Sequence, residues 1–203
     1  IIRLTSNINI AVFISGGGTN LAALIEGQDK NVFKGKIKLV LSNKKSAYGL
    51  VRAQNAGIKN IVEKDNEKIL KILQDEDIDL IVLAGYLKIL PDFIIKNFEN
   101  RIINIHPSLI PSFCGDGFYG IKVHEKVIES GVKLTGATTH FVTAETDMGP
   151  IIMQEAVKVN FEDSPEVLQK RVLEVEHRIL VESVRLFCQG SLRVIENRVK
   201  IER

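Results

Sequence analysis

The chain has 203 residues, 45% hydrophobic and 26% charged, with 15 Gly and 5 Pro. That balance excludes disordered, fibrous and disulfide-stapled classes, and the length points to a single domain over residues 1–203 with its own core. Lys plus Arg total 27 against 25 Asp plus Glu and are spread along the chain, so nothing in the charge asks for a nucleic-acid partner. Cys114 and Cys188 lie far apart with neither CxxC nor Cys/His spacing, which speaks against a disulfide framework or a zinc site and for a reducing, cytoplasmic setting. No apolar run approaches the ~18 residues of a membrane span, so no membrane partner is expected. Residues 1–7 lack a secretion signal's apolar core and cleavage site and are given no role in the fold.

In chain order, residues 10–14 form a continuous apolar run ending in Ser15-Gly16-Gly17-Gly18, and a short amphipathic stretch over 21–25 follows. This reads as strand, glycine loop, helix. Residues 36–42 are a second strand, 48–56 a helix closed by Gly57, and Ile61-Val62 a short third strand. Asp65 or Asn66 caps a helix whose Ile69, Ile72 and Leu73 share a face. Two further apolar runs, 79–84 and 101–106, flank a helix near 91–97. Strands alternating with helices predict a doubly wound, mostly parallel α/β sheet.

After His106 the rhythm changes. Residues 107–119 are a Gly-, Ser- and Pro-rich loop, 123–130 a helix, and 134–142 and 151–159 two β-rich stretches whose short connection suits antiparallel pairing. Ser164 and Pro165 fit the N-cap and first position of a long helix running to about Cys188. Gly190 stops it, and residues 192–202 read as a terminal hairpin.

Several residues break their local pattern in ways that suggest chemistry. A glycine loop after the first parallel strand lets backbone N–H groups meet an anion at the next helix N-terminus. Gly16 and Gly18 are present, but Leu21 stands where a dinucleotide fingerprint needs its third glycine, and the P-loop Gly-Lys-Ser/Thr is absent. A small phosphate ester fits better than NAD or ATP, with a ligand-free tight turn as the alternative. Asn104 and His106, two apart on a buried strand, project to one side; together they suit a developing oxyanion and proton movement, or His106 merely caps the strand end. Asp147 is either a turn residue or a carboxylate that favours a His106 imidazolium, raising its pKa into the working range. Glu176 rises from a stripe of Val172, Leu173, Ile179 and Leu180, so its carboxylate needs either a ligand ammonium or hydroxyl, or a buried Arg or Lys. His140 and His177 read as structural histidines.

The segments 14–21 (ISGGGTNL), 83–90 (LAGYLKIL), 103–111 (INIHPSLIP), 136–142 (GATTHFV) and 147–152 (DMGPII) together resemble the phosphoribosylglycinamide formyltransferase family, folate-dependent enzymes of de novo purine synthesis. The resemblance implies transfer of a formyl group from the cosubstrate 10-formyltetrahydrofolate to the amine of glycinamide ribonucleotide, with small-molecule partners only and no metal. It assigns Gly18, Thr19, Asn20 and Glu176 to the ribonucleotide. Leu87, Lys88, Ile89, Leu90, Asn104, Thr143, Ala144, Glu145, Thr146 and Asp147 fall to the folate. The catalytic Asn, His and Asp match Asn104, His106 and Asp147, with the oxyanion held by Asn104 and protonated His106.

Residues 114–118 look inserted relative to the family pattern. An Arg that some members place against the folate tail is missing, with Lys64 or Lys68 as substitutes. Methionyl-tRNA formyltransferase and formyltetrahydrofolate deformylase share the Asn, His and Asp pattern. Each carries a further domain for which this chain shows no convincing residues, so they stand as alternatives, as does a noncatalytic nucleotide-binding module. The oligomeric state is left open.

Overall fold

The computed structural model describes residues 7–202; of the first seven residues, 1–6 lie outside that range. In chain order the elements are β1 (Ile8–Ile14), α1 (Thr19–Asp29), β2 (Gly35–Ser42), α2 (Tyr48–Asn55), β3 (Lys59–Val62), α3 (Asn66–Asp75), β4 (Leu80–Leu83) and α4 (Asp92–Asn97). There follow β5 (Ile102–His106), α5 (Ile121–Ser130), β6 (Leu134–Phe141), β7 (Ile151–Lys158), α6 (Pro165–Cys188), β8 (Leu192–Ile195) and β9 (Arg198–Ile201). Seven strands make one sheet in the order β3-β2-β1-β4-β5-β6-β7, and β8 and β9 pair as a separate hairpin. β3 through β5 run parallel, while β6 is antiparallel to β5 and to β7. The doubly wound, mostly parallel α/β sheet with a C-terminal antiparallel part is therefore the fold.

Alternation along the strands decides which helix covers which face. Ile8, Ile10, Val12 and Ile14 of β1 enter a core shared with Leu21 and Leu24 of α1, Ala53 of α2, Val123 and Val127 of α5, and the apolar stripe of α6. Ala11 and Phe13 enter the opposite core with Ile69 and Leu73 of α3 and Ile94 of α4. In β5, Ile103 and Ile105 belong to the first face and Ile102 to the second. By the same parity Asn104 and His106 stand on the α3/α4 side, at the carboxyl end of the strand.

Local signals place the helices. The Asp65 side chain accepts from the backbone N–H of Glu67 and Lys68, starting α3, and Ser164 accepts from Val167 N–H, with Pro165 at the first turn of α6. Only α1 runs well beyond its sequence pattern, which covered 21–25, because its outer half carries few apolar residues to betray a period.

Strand order reverses beside β1, so the loops after β1 and β4 turn away from one another and open a crevice at the carboxyl edge, where α/β sheets collect ligands. The two loops are tied together: Ser15 N–H donates to Gly85 O at 3.1 Å, and Leu87 N–H donates to Ser15 Oγ at 2.9 Å. The glycine loop also packs on α2. Gly18 has φ 70°, and a Cβ there would come within 2.6 Å of Gly49 Cα, so a side chain is excluded by both conformation and space.

Candidate active site

A cleft of ≈ 740 Å³ occupies this carboxyl edge. Its floor is built from β5 and β6. In an antiparallel pair, residues directly opposite share a face, and the register sets Asn104 against His140 and His106 against Thr138. Three cleft groups thus come from the pair: Asn104 and His106 from β5 and His140 from β6. The structure corrects the structural reading of His140, which lines the cleft with its Nε2 3.1 Å from Asn104 Nδ2.

The tautomers follow from the partners. His140 Nδ1 lies 3.0 Å from Phe141 O, a carbonyl that only accepts, so Nδ1 carries the proton and Nε2 accepts from the Asn104 amide. That bond fixes the Asn104 amide and leaves its second N–H free. His106 Nε2 lies 2.9 Å from Phe113 O, so in the neutral ring Nε2 carries the proton and Nδ1 is bare. Asp147 reaches both rings, with Oδ2 3.7 Å from His106 Nδ1 and Oδ1 3.6 Å from His140 Nε2. Its backbone is left-handed, φ 56°, a conformation Asp tolerates.

The electrostatics correct a second expectation. Asp147 does favour the charged form of His106, but burial is the larger influence and pulls His106 below the ordinary imidazole value. That balance favours the neutral ring over the imidazolium. For Asp147, burial is the largest single influence and opposes ionisation. The two rings, when protonated on the nitrogens that face it, and the Gly115 N–H together outweigh it and hold the carboxyl below its usual range.

Also lining the cleft, Asn20 in the first turn of α1 donates from Nδ2 to Glu176 Oε2 at 2.8 Å. Glu176 is 7% exposed and has no Arg or Lys partner among the described residues, and burial pushes its pKa up. Asn20 Oδ1 is buried without a partner among the described residues.

Thr19, Asn20, Glu176, Asn104, His106, the whole of 87–90 and the whole of 143–147 line this one cleft. Gly18 does not; it forms the N-cap of α1 behind the wall. Leu87 and Ile89 are 50% and 67% exposed, and Leu90 is buried. Neither Lys64 nor Lys68 lines the cleft, whereas Lys88 does, with its Nζ donating to Lys64 O and Asn66 Oδ1. His177 lies elsewhere, in a groove between α1, α6 and β7.

Sequence reasoning also missed His124 and Tyr86, both buried on the cleft wall. Among the described residues His124 Nδ1 and Tyr86 Oη have no partner, and burial pushes His124 down to about 4 and Tyr86 up to about 12. The available signals were weak: a His in an otherwise apolar helix face, and a Tyr directly after Gly85 at a strand end. Among the described residues, no group of three or more His, Cys, Asp or Glu is arranged to hold a metal, and no helix is long and apolar enough to cross a membrane.

Residues 8–184 match the family described as Formyl transferase. The phosphoribosylglycinamide formyltransferase of Haemophilus influenzae is 40% identical over 198 residues, covering 93% of this chain and 91% of that protein. The trifunctional purine biosynthetic protein adenosine-3 of Gallus gallus is 41% identical, and there the match spans 20% of the longer protein. Among solved structures, glycinamide ribonucleotide transformylase 1 from Symbiobacterium toebii superposes with a TM-score of 0.92 at 40% identity, covering 97% of this chain and 95% of that one. A formyltetrahydrofolate deformylase from Pseudomonas syringae superposes at 0.90 with 27% identity, covering 98% of this chain and 67% of that one. The chain belongs to the formyl transferase family.

Proposed function

We propose that this chain transfers the formyl group of 10-formyltetrahydrofolate to the amine of glycinamide ribonucleotide, a step of de novo purine biosynthesis. The observation that carries the reading is one cleft lined by two chemically distinct sets of groups. Asn104, His106 and Asp147 make one set, and Gly17, Thr19, Asn20 and Glu176 make the other. The phosphoribosylglycinamide formyltransferase of Haemophilus influenzae, matched over nearly its whole length, supports it. The chain acts as one domain on small molecules in the cytoplasm, without nucleic acid, membrane or metal.

The residues present fit both substrates. Asn20 Oδ1 and Tyr86 Oη are buried on the cleft wall with no partner among the described residues, as befits groups that meet a ligand. The first turn of α1 offers backbone N–H groups to a phosphate, Glu176 takes the ribonucleotide's hydroxyl or ammonium hydrogens, and residues 87–90 with 143–147 enclose the folate ring.

The folate supplies the formyl carbon at the level of oxidation the product keeps. Asn104, its amide oriented by His140, directs its remaining N–H at the formyl oxygen as negative charge develops there. His106, neutral at rest, takes the proton the amine releases as its nitrogen bonds to the formyl carbon. It returns that proton to the folate nitrogen as the original carbon–nitrogen bond breaks. Asp147 stabilises the transient imidazolium.

The likeness to a deformylase favours one alternative, in which water is the acceptor. A formyl-transfer assay with glycinamide ribonucleotide, charged initiator tRNA and water as acceptors decides between them. The ribonucleotide should be the productive acceptor with no metal or nucleoside triphosphate added. Turnover with water alone, or its abolition by chelator, would sink the proposal.

A further inference from the structure

The loop after β5 does more than roof the cleft. Its base is pinned: Thr138 Oγ1 donates to Ser108 O at 2.6 Å and accepts from Ile110 N–H at 3.1 Å, and Ser108 Oγ donates to Ser112 O at 2.6 Å. From that fixed base the next turn reaches both proton-handling residues. The Phe113 carbonyl accepts from His106 Nε2 at 2.9 Å, and Gly115 N–H donates to Asp147 Oδ2 at 2.9 Å. The carboxylate oxygen held by Gly115 is the same one that faces His106 Nδ1 at 3.7 Å. A single three-residue turn therefore sets the ring and the carboxylate relative to one another.

The turn is held at a conformational cost. Phe113 has φ 52°, a left-handed conformation that a bulky residue rarely adopts, and Gly115 and Gly117 sit at φ 86°. Its side chain stacks edge-on with Phe118, centroids 6.3 Å apart, and both rings pack on the main core. Aromatic burial thus holds a backbone conformation whose only polar outcome at this point is the carbonyl aimed at His106. The segment 114–118, which looked like an insertion in the sequence, supplies the second ring of that stack and the Gly115 N–H.

We infer that the turn at residues 113–115 is a positioning device that commits His106 to the Nε2–H form, so that Nδ1 is the nitrogen that takes up and releases the proton beside Asp147. The assignment follows from valence. A neutral imidazole has one N–H, a backbone carbonyl can only accept, and the free lone pair must then be on Nδ1. The 3.7 Å gap between Nδ1 and Asp147 Oδ2 is too long for a direct hydrogen bond, so Nδ1 is not already engaged. Once protonated there, the ring faces a carboxylate whose orientation Gly115 maintains. Phe113, Gly115 and Phe118 act through His106 and Asp147 and are positioning residues. The other titratable groups that bear on His106 are His140 on β6 and His124 on α5, and neither occupies its Nε2.

The assignment rests on the proposed role of His106, but its first test needs no turnover. In protein labelled with ¹⁵N-histidine, the His106 ring, assigned by its loss in His106→Ala, should show a protonated-type Nε2 and a bare-type Nδ1 above its titration. A proton on Nδ1 instead overturns the inference. Phe118→Ala should turn that pattern into a tautomer mixture and lower kcat about tenfold with KM for both substrates within about twofold, and Phe118→Tyr should restore both. A Phe118→Ala protein that is folded by circular dichroism yet keeps tautomer and kcat overturns the role of the stack. If Nε2–H is found but glycinamide ribonucleotide is not formylated, the positioning stands and the functional reading falls.

Discussion

Asn20 and Glu176, separated by 156 positions in sequence, meet through a 2.8 Å hydrogen bond that is the only polar contact of the Glu176 carboxylate among the described residues. A carboxylate this buried with one neutral donor is undersatisfied: an ionised carboxylate has acceptor sites for several hydrogen bonds. Its charge is stabilised fully only when a ligand supplies the remaining donors.

Glu176→Gln keeps the bond from Asn20 and removes the charge. It should weaken glycinamide ribonucleotide binding by about 10- to 100-fold, the scale of a charged hydrogen bond, while folate binding is unchanged. The sign of its stability effect is opposite to that of an ordinary paired carboxylate. Burial raises the folded pKa of Glu176, so the folded state is penalised as pH rises above the unfolded value of about 4.3. The ligand-free variant should therefore melt no lower than the parent at pH 7 and gain on it between pH 4 and 7. A large drop in Tm with unchanged ribonucleotide affinity would show that the carboxylate serves the fold instead.

On the proposed mechanism, His106→Ala removes the proton carrier from the cleft. kcat should fall by at least ~10², the scale of losing one group that stabilises developing charge, with both substrates still bound in equilibrium titrations.

Asp147→Asn removes the carboxylate that lifts His106 against burial. The inflection assigned to His106 in the kcat/KM profile should move to more acidic pH, and kcat should fall because the transient imidazolium loses its counter-charge. In the double variant the losses should not multiply, since the two residues act as one unit. Independent losses, or an unmoved inflection in Asp147→Asn, would refute the coupling.

Three histidines, His106, His124 and His177, are pushed down by burial, His124 to about 4. Each binds a proton on unfolding once the pH is below about 6.5 while the folded form still excludes it. Stability is therefore complete above that pH and is lost as pH falls from about 6.5 towards about 4. Urea unfolding followed across this window should show the decline, and His124→Gln should make it shallower. An unchanged slope in that variant would exclude His124 as a source.

What was legible in the sequence was what is local. The Asp65 and Ser164 caps, the two-sided apolar runs of β4 and β5, and the Ser15 to Gly18 loop each carry their signal within a few residues, and the fold order followed from their alternation. Asn104 and His106 could be paired because they share one strand. His140 could not join them, because only the register of β5 against β6 sets it opposite Asn104, and register is a long-range property. Nor could residue types alone show that burial of His106 outweighs the Asp147 charge, since that balance depends on how much of the ring the loop at 107–120 covers.

The reversal of strand order beside β1 also governs when this chain becomes able to bind. β1 is flanked by β2 and β4, and the cleft above it is closed by α6, the last long element. No stretch of chain ending short of residue 176 contains every group that lines the cleft, since Gln169, Leu173 and Glu176 of α6 complete it, so a ligand held by the whole lining binds only the complete fold. Ligand then acts on the global equilibrium, adding about 2.7 kcal/mol at a concentration a hundred times Kd. Occupancy of the cleft thus becomes a term in the stability of the whole fold.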